Sequence, residues 1–255
     1  MFRRFTAGLA VVTLSAGAIF AGTFVPDSSI LPAELKTPLS SKNGKAGQVI
    51  TARIMQDVPL LGDAKIPMGS MLSGRVTKVQ PAAGGDGGSI SFRFDTLQIG
   101  QENVHLTVRL RALASFVEVR QAQLPTGNDP ANPEDTWNTV QVGGEVVYRG
   151  SGVVRSRTAG VVGRYVRGGG VLGNLDSNPG RGCVHDGTGE RAQALWVFSS
   201  DACGVYGLDN VTIARSDTKA PTDPGEITVQ SSKKDVTVNG GSGLMFRVYA
   251  PSAGP

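Results

Sequence analysis

Cysteine, histidine and tryptophan each occur only twice in the 255-residue chain, and aromatic residues make up 6% of it. Two histidines leave little material for hydrolysis, because a nucleophile–base–acid triad uses one as its base. Two cysteines exclude the doubled Cys-x-x-Cys spacing of a structural zinc centre, so neither a metal nor a cofactor is expected. Neither Gly-x-Ser-x-Gly nor His-Glu-x-x-His occurs. No Gly-Lys-Ser/Thr follows the glycines to make a phosphate loop. After position 22 there is no long apolar run, so no membrane-spanning helix is expected in the remainder. The formal net charge is only +4, and Arg3 and Arg4 account for half of it. That is not the charge of a dedicated nucleic-acid binder.

What is present begins with a leader. Arg3 and Arg4 precede residues 7–21, which are uncharged and mostly apolar or small. The run is short for a bilayer span and suits a signal peptide, with cleavage after Ala18 or Ala21; a retained anchor is the alternative. The expectation is export, with residues 1–21 as leader, to the periplasm, the outer membrane or the exterior. In an oxidising compartment Cys183 and Cys203 are expected to pair. Closing a loop of about twenty residues stabilises by roughly 3 kcal/mol in the chain-entropy picture.

Residues 22–45 contain Pro26, Pro32 and Pro38 and read as an irregular N-terminal segment. Residues 46–119 read as the first part of a β-domain. Ile50, Ala52 and Ile54 alternate with polar neighbours, as do Leu72–Val76, Ile90–Phe94 and Val104–Ala112. The phase changes after Asp95, which predicts a β-bulge near Asp95 and Thr96. Residues 120–225 read as an insertion or second subdomain: a polar loop, then a Gly/Arg-rich stretch, then the cysteines. Residues 226–249 return to strand rhythm, with Asn239-Gly240 as a hairpin signal, and 250–255 form a tail. The predicted fold is mainly β, an antiparallel barrel or sandwich with a long Gly/Arg-rich, Cys-containing insertion. Residues 226–249 complete the sheet begun in 46–119; two independent domains are the alternative.

Three segments carry a resemblance: Gly47 to Ile54 with Gln56-Asp57-Val58-Pro59-Leu60, then Ile66-Pro67-Met68-Gly69-Ser70-Met71-Leu72-Ser73-Gly74, and finally Gly243 to Val248. Together they are similar to the C-terminal β-domain of TrbI-like conjugal-transfer (type IV secretion) scaffold proteins. Uncharacterised exported bacterial proteins look similar as well. The first resemblance implies a barrel-like envelope domain with a scaffolding role. The chain departs from that family in its middle, which is Gly- and Arg-rich where the family has a helical hairpin.

Candidate sites are few. His185, beside Asp186, would be brought near Asp201 by the disulfide, a weak catalytic constellation that Gly187 and Gly189 also mark as a turn. His105 reads as a solvated strand residue and Trp196 as core. Arg155, Arg157, Arg164 and Arg167 form an anion-binding set, because guanidinium holds phosphate bidentately; the competing reading is a solvated, mobile Gly-rich loop. The expected function is a non-catalytic structural, scaffold or interaction protein of the envelope. The alternatives are a secreted ligand- or polysaccharide-binding module and a hydrolase centred on His185. Expected partners are envelope proteins, further copies of the chain, or an anionic lipid or glycan.

Overall fold

The structure is a computed structural model that describes residues 24–126, 138–150, 152–177, 179, 191–214 and 225–249. In chain order its elements are β1 (Ile30–Leu35), β2 (Leu39–Ser40), β3 (Val49–Ile54), β4 (Val58–Pro59), β5 (Lys65–Ile66), β6 (Met71–Gln80), β7 (Ser89–Ile99), β8 (Glu102–His105), β9 (Thr107–Ala114) and α1 (Phe116–Gln123). There follow β10 (Asn138–Val140), β11 (Val146–Tyr148), β12 (Val153–Ser156), β13 (Gly160–Val166), β14 (Gly170–Gly173), β15 (Gln193–Ala194), β16 (Gly204–Tyr206), β17 (Val211–Ala214), β18 (Ile227–Ser231), β19 (Thr237–Val238) and β20 (Gly243–Tyr249).

The larger sheet runs β16-β9-β20-β1-β3-β6-β7-β18-β17, with β8 added on β7. Its ladders are antiparallel except for β16 on β9. The edge strands β16 and β17 lie against each other but share no ladder. The sheet therefore curls without closing into a barrel. A second sheet, β10-β11-β12-β13-β14-β15, is an antiparallel meander in sequence order. The architecture is mainly β and sandwich-like.

Period-two patterning builds two cores on the two sides of the larger sheet. On the enclosed side Leu31, Ile50, Ile54, Leu72, Phe92, Phe94, Val229, Leu244 and Phe246 pack together. The rings of Phe94 and Phe246 meet edge to face, with centroids 5.2 Å apart. On the other side Ile30, Ala112, Ala114 and Met245 meet Val147, Val154 and Val171 of the meander, Val119 and Ala122 of α1, and Leu195 to Phe198. Strand β20 is therefore buried on both faces from Gly243 to Val248. It pairs with β9 on one side and β1 on the other.

Several expectations are corrected. Residues 30–35 are a central buried strand where an irregular segment was expected. Pro32 lacks an N–H and normally marks an edge strand. Here its carbonyl accepts from the Met55 amide at 3.0 Å, and the Ile30 amide donates to the Gln193 side chain at 3.1 Å. The region after 115 opens with a helix, begun when the Ser115 hydroxyl accepts from the Glu118 amide. Strands β16 and β17 fall inside residues 120–225 but belong to the larger sheet. Asn239-Gly240 does not close a two-stranded hairpin: β19 pairs with β2, and the Ser242 amide donating to the Asn239 carbonyl turns the chain toward β20. The bulge is where the phase change put it, since Ser73 pairs with Thr96 and Gly74 with Phe94, leaving Asp95 over.

The Gly/Arg stretch is three strands of the meander, not a loop. At Gly163 two neighbouring strands approach too closely for a side chain. A Cβ on Gly163 would lie 2.5 Å from the Leu172 carbonyl oxygen of the neighbouring strand. Gln56 joins the two sheets: its amide donates to the Val171 carbonyl at 2.9 Å, and its oxygen accepts from the Trp196 amide at 2.7 Å.

Candidate functional site

In the meander, the residues facing the larger sheet are Thr139, Val147, Val154 and Gly163, aligned across four strands. Their neighbours point the other way and make two transverse rows. One row runs Asn138–Tyr148–Val153–Arg164; the other runs Val140–Val146–Arg155–Val161. A shift in register after Val154 sets Arg155 opposite Val161. Among the described residues nothing covers this face fully: Val140, Tyr148 and Val161 are 39%, 38% and 58% exposed. Four strands of Val- and Tyr-rich sequence thus carry one inward set, which packs, and one outward set, which is left open.

The sequence-predicted arginines fall on and around this face. Arg155 and Arg164 stand within the two rows, Arg157 begins the β12–β13 turn, and Arg167 begins the β13–β14 turn. All four are exposed. None of their side chains has a hydrogen bond, ion pair or ring contact with any described residue. No Asp or Glu occurs in strands β10 to β13. Arg149 differs, lying over the Tyr165 ring at 5.8 Å and donating to the Gln123 carbonyl. The face is positive and partly apolar, a surface complementary to an anion-bearing apolar partner.

A buried acid lies just before β11. Glu145 is 3% exposed. Its carboxylate accepts from the Ser200 hydroxyl and, at 3.0 Å, from the Ser200 amide. Its own amide donates to the Ser199 hydroxyl. Burial pushes this carboxyl above the usual glutamate range; the Ser200 bonds oppose the rise, and the charges of Asp201 and Asp176 add to it. Arg111 stands beside them, donating to the Asp176 carbonyl at 2.6 Å and the Ala202 carbonyl at 3.1 Å. With Ser200 only 4% exposed, the arrangement ties the β10–β11 turn to the 199–203 segment and offers no access to a substrate.

Because Glu145 has a raised value in the folded state, its stabilising contribution is complete below the unfolded-state value and is lost as pH rises through the folded one. Glu145→Gln is therefore expected to change from neutral or destabilising near pH 4 to progressively more favourable, relative to the parent, toward pH 8. Urea unfolding of both proteins across that range measures the difference. A pH-independent difference would show that Glu145 titrates alike in both states.

Of the weak catalytic set, Asp201 sits beside Glu145, while His185 and Asp186 lie outside the described residues. Cys203 is buried, and its expected partner Cys183 also lies outside them. His105 is exposed on β8, and Trp196 is 3% exposed within the inter-sheet core. Among the described residues no three His, Cys, Asp or Glu side chains gather as a metal site would require, and no helix is long and apolar enough to cross a membrane.

Sequence reading missed Glu145, which has no spacing signature; only the fold brings Ser200 to it. It also missed a cleft of about 380 Å3 lined by Met55, Gln141, Arg149, Tyr165 and Trp196, among others. The Gln141 amide nitrogen donates to the Trp196 carbonyl, and its buried oxygen has no hydrogen-bond donor among the described residues. The chain matches no protein-family model, and no curated protein matches it closely enough to assign a family.

Proposed function

We propose that the protein is an exported, non-catalytic structural or interaction protein of the cell envelope, with a TrbI-like β-domain as its larger sheet and a Cys183–Cys203 disulfide bracing the insertion. The observation that carries this reading is the open face of β10–β13. It holds guanidinium groups without a partner among the described residues, and exposed valines, on a hydrogen-bonded sheet, which suits a docking surface. Cell fractionation with intact-mass measurement tests it. The protein is expected in the envelope fraction, shortened at the leader and two mass units lighter than its reduced form. Recovery from the cytosol at full length with free thiols would overturn the proposal. A second reading, a ligand- or polysaccharide-binding module, is favoured by the cleft at Gln141, whose buried oxygen a hydroxyl or amide donor would satisfy. A rise in melting temperature with a soluble glycan, abolished by Gln141→Leu, would select that reading.

A further inference from the structure

We propose that the open face of β10–β13 seats directly on a bilayer surface containing anionic phospholipid. This inference rests on the envelope reading and names the partner of that face. Its two rows place arginines among aliphatic and aromatic side chains: Arg164 beside Val153 in one, Arg155 between Val146 and Val161 in the other. A water-soluble polyanion would account for the guanidinium groups and leave the exposed valines without a role. A purely apolar protein surface would bury Arg155 and Arg164 without counter-charge, at a high desolvation cost. A second copy of the same face would set arginine near arginine with no carboxylate in these strands to relieve it. An anionic bilayer satisfies both components. Phosphates accept from Arg155, Arg157, Arg164 and Arg167, while Val161 and Tyr148 reach the boundary between headgroups and acyl chains.

The geometry suits shallow contact. Val161, the most exposed apolar residue of the face, stands on β13 opposite Arg155 and close to the turn that Arg157 opens. Arg167 lies at the other end of β13. Cations therefore flank the apolar patch along the strand direction as well as interrupting it. Tyrosine is a common interfacial anchor because its ring is apolar and its hydroxyl stays wet.

Co-sedimentation of the full protein with vesicles of phosphatidylcholine alone, or of phosphatidylcholine with phosphatidylglycerol, is the test. Binding is expected only to the anionic vesicles and is expected to fall steeply with salt. Each arginine near an anionic surface contributes about fivefold in partitioning, so R155Q/R164Q is expected to weaken binding about 25-fold. R155E/R164E should weaken it further, and V161D should weaken it with all the arginines intact. All of these side chains are exposed, so the melting temperature should hold in each variant. Equal binding to neutral vesicles, or undiminished binding by R155Q/R164Q, would overturn the proposal. Absence of binding to either vesicle would also overturn it. If the protein still fractionates with the envelope in that case, the broader reading stands with a protein partner; recovery from the cytosol removes both.

Discussion

Phe246→Ala is expected to lower the unfolding free energy by about 3–5 kcal/mol. Phe246 is fully buried. Its ring packs edge to face on Phe94, which in turn meets Phe92 with ring centroids 6.0 Å apart. These three rings come from β7 and β20, strands on different stretches of the curled sheet with β1, β3 and β6 between them. Truncation removes apolar area and leaves a cavity walled by rigid strands, which limits how far the site can collapse. Urea unfolding should show a lower midpoint with an unchanged slope. Val161→Ala on the open face is the control and should stay within about 0.5 kcal/mol. A loss at position 246 below about 1 kcal/mol would mean that the enclosed core is not organised around these rings.

Gln56→Leu is expected to cost about 1–3 kcal/mol by a different route. The substitution keeps approximate size and removes both hydrogen-bonding atoms. The Trp196 amide, satisfied by Gln56 in the parent, would remain buried without a partner, while the Val171 carbonyl would keep its bond from the Leu195 amide at 2.8 Å. One orphaned buried amide costs about 1–3 kcal/mol. The loss should concentrate at the junction between the sheets. Trp196 fluorescence is expected to shift to the red while the far-ultraviolet strand signal stays largely intact. Simultaneous loss of both signals would indicate that the meander and the larger sheet unfold as one unit.

Strand rhythm made most of the larger sheet legible. The alternation at Ile50–Ile54 and Ile90–Phe94 places β3 and β7, and the phase change puts a bulge near Asp95 and Thr96, where Asp95 is the residue left over. Reading stopped where a local rule met a tertiary exception. Pro32 argued against a strand because it cannot donate, yet the neighbours of β1 ask only for its carbonyl. The Ser115-x-x-Glu118 start of α1 follows directly on an alternating strand, whose period-two rhythm masks it. Glycine frequency between 150 and 173 suggested a loop, whereas several of those glycines mark turns and Gly163 a close strand approach. Arg155, Arg157, Arg164 and Arg167 were legible as an anion-binding set by type. Their sharing of an open face with Val161 was not, because it depends on the register shift after Val154.

The pairing of β1 with β20 has a kinetic consequence. Ser28 and Arg247, which share a hydrogen bond beside that ladder, are 219 positions apart in the chain. The strand that fills the gap between β9 and β1 is thus synthesised long after both of them. Until it arrives, both of its neighbours present bare edges and the enclosed core lacks Phe246. Loop-closure entropy and high contact order together make this a slow, late step. A chain that cannot seal its core early leaves those two edges bare for longer, a property that would suit the export proposed above.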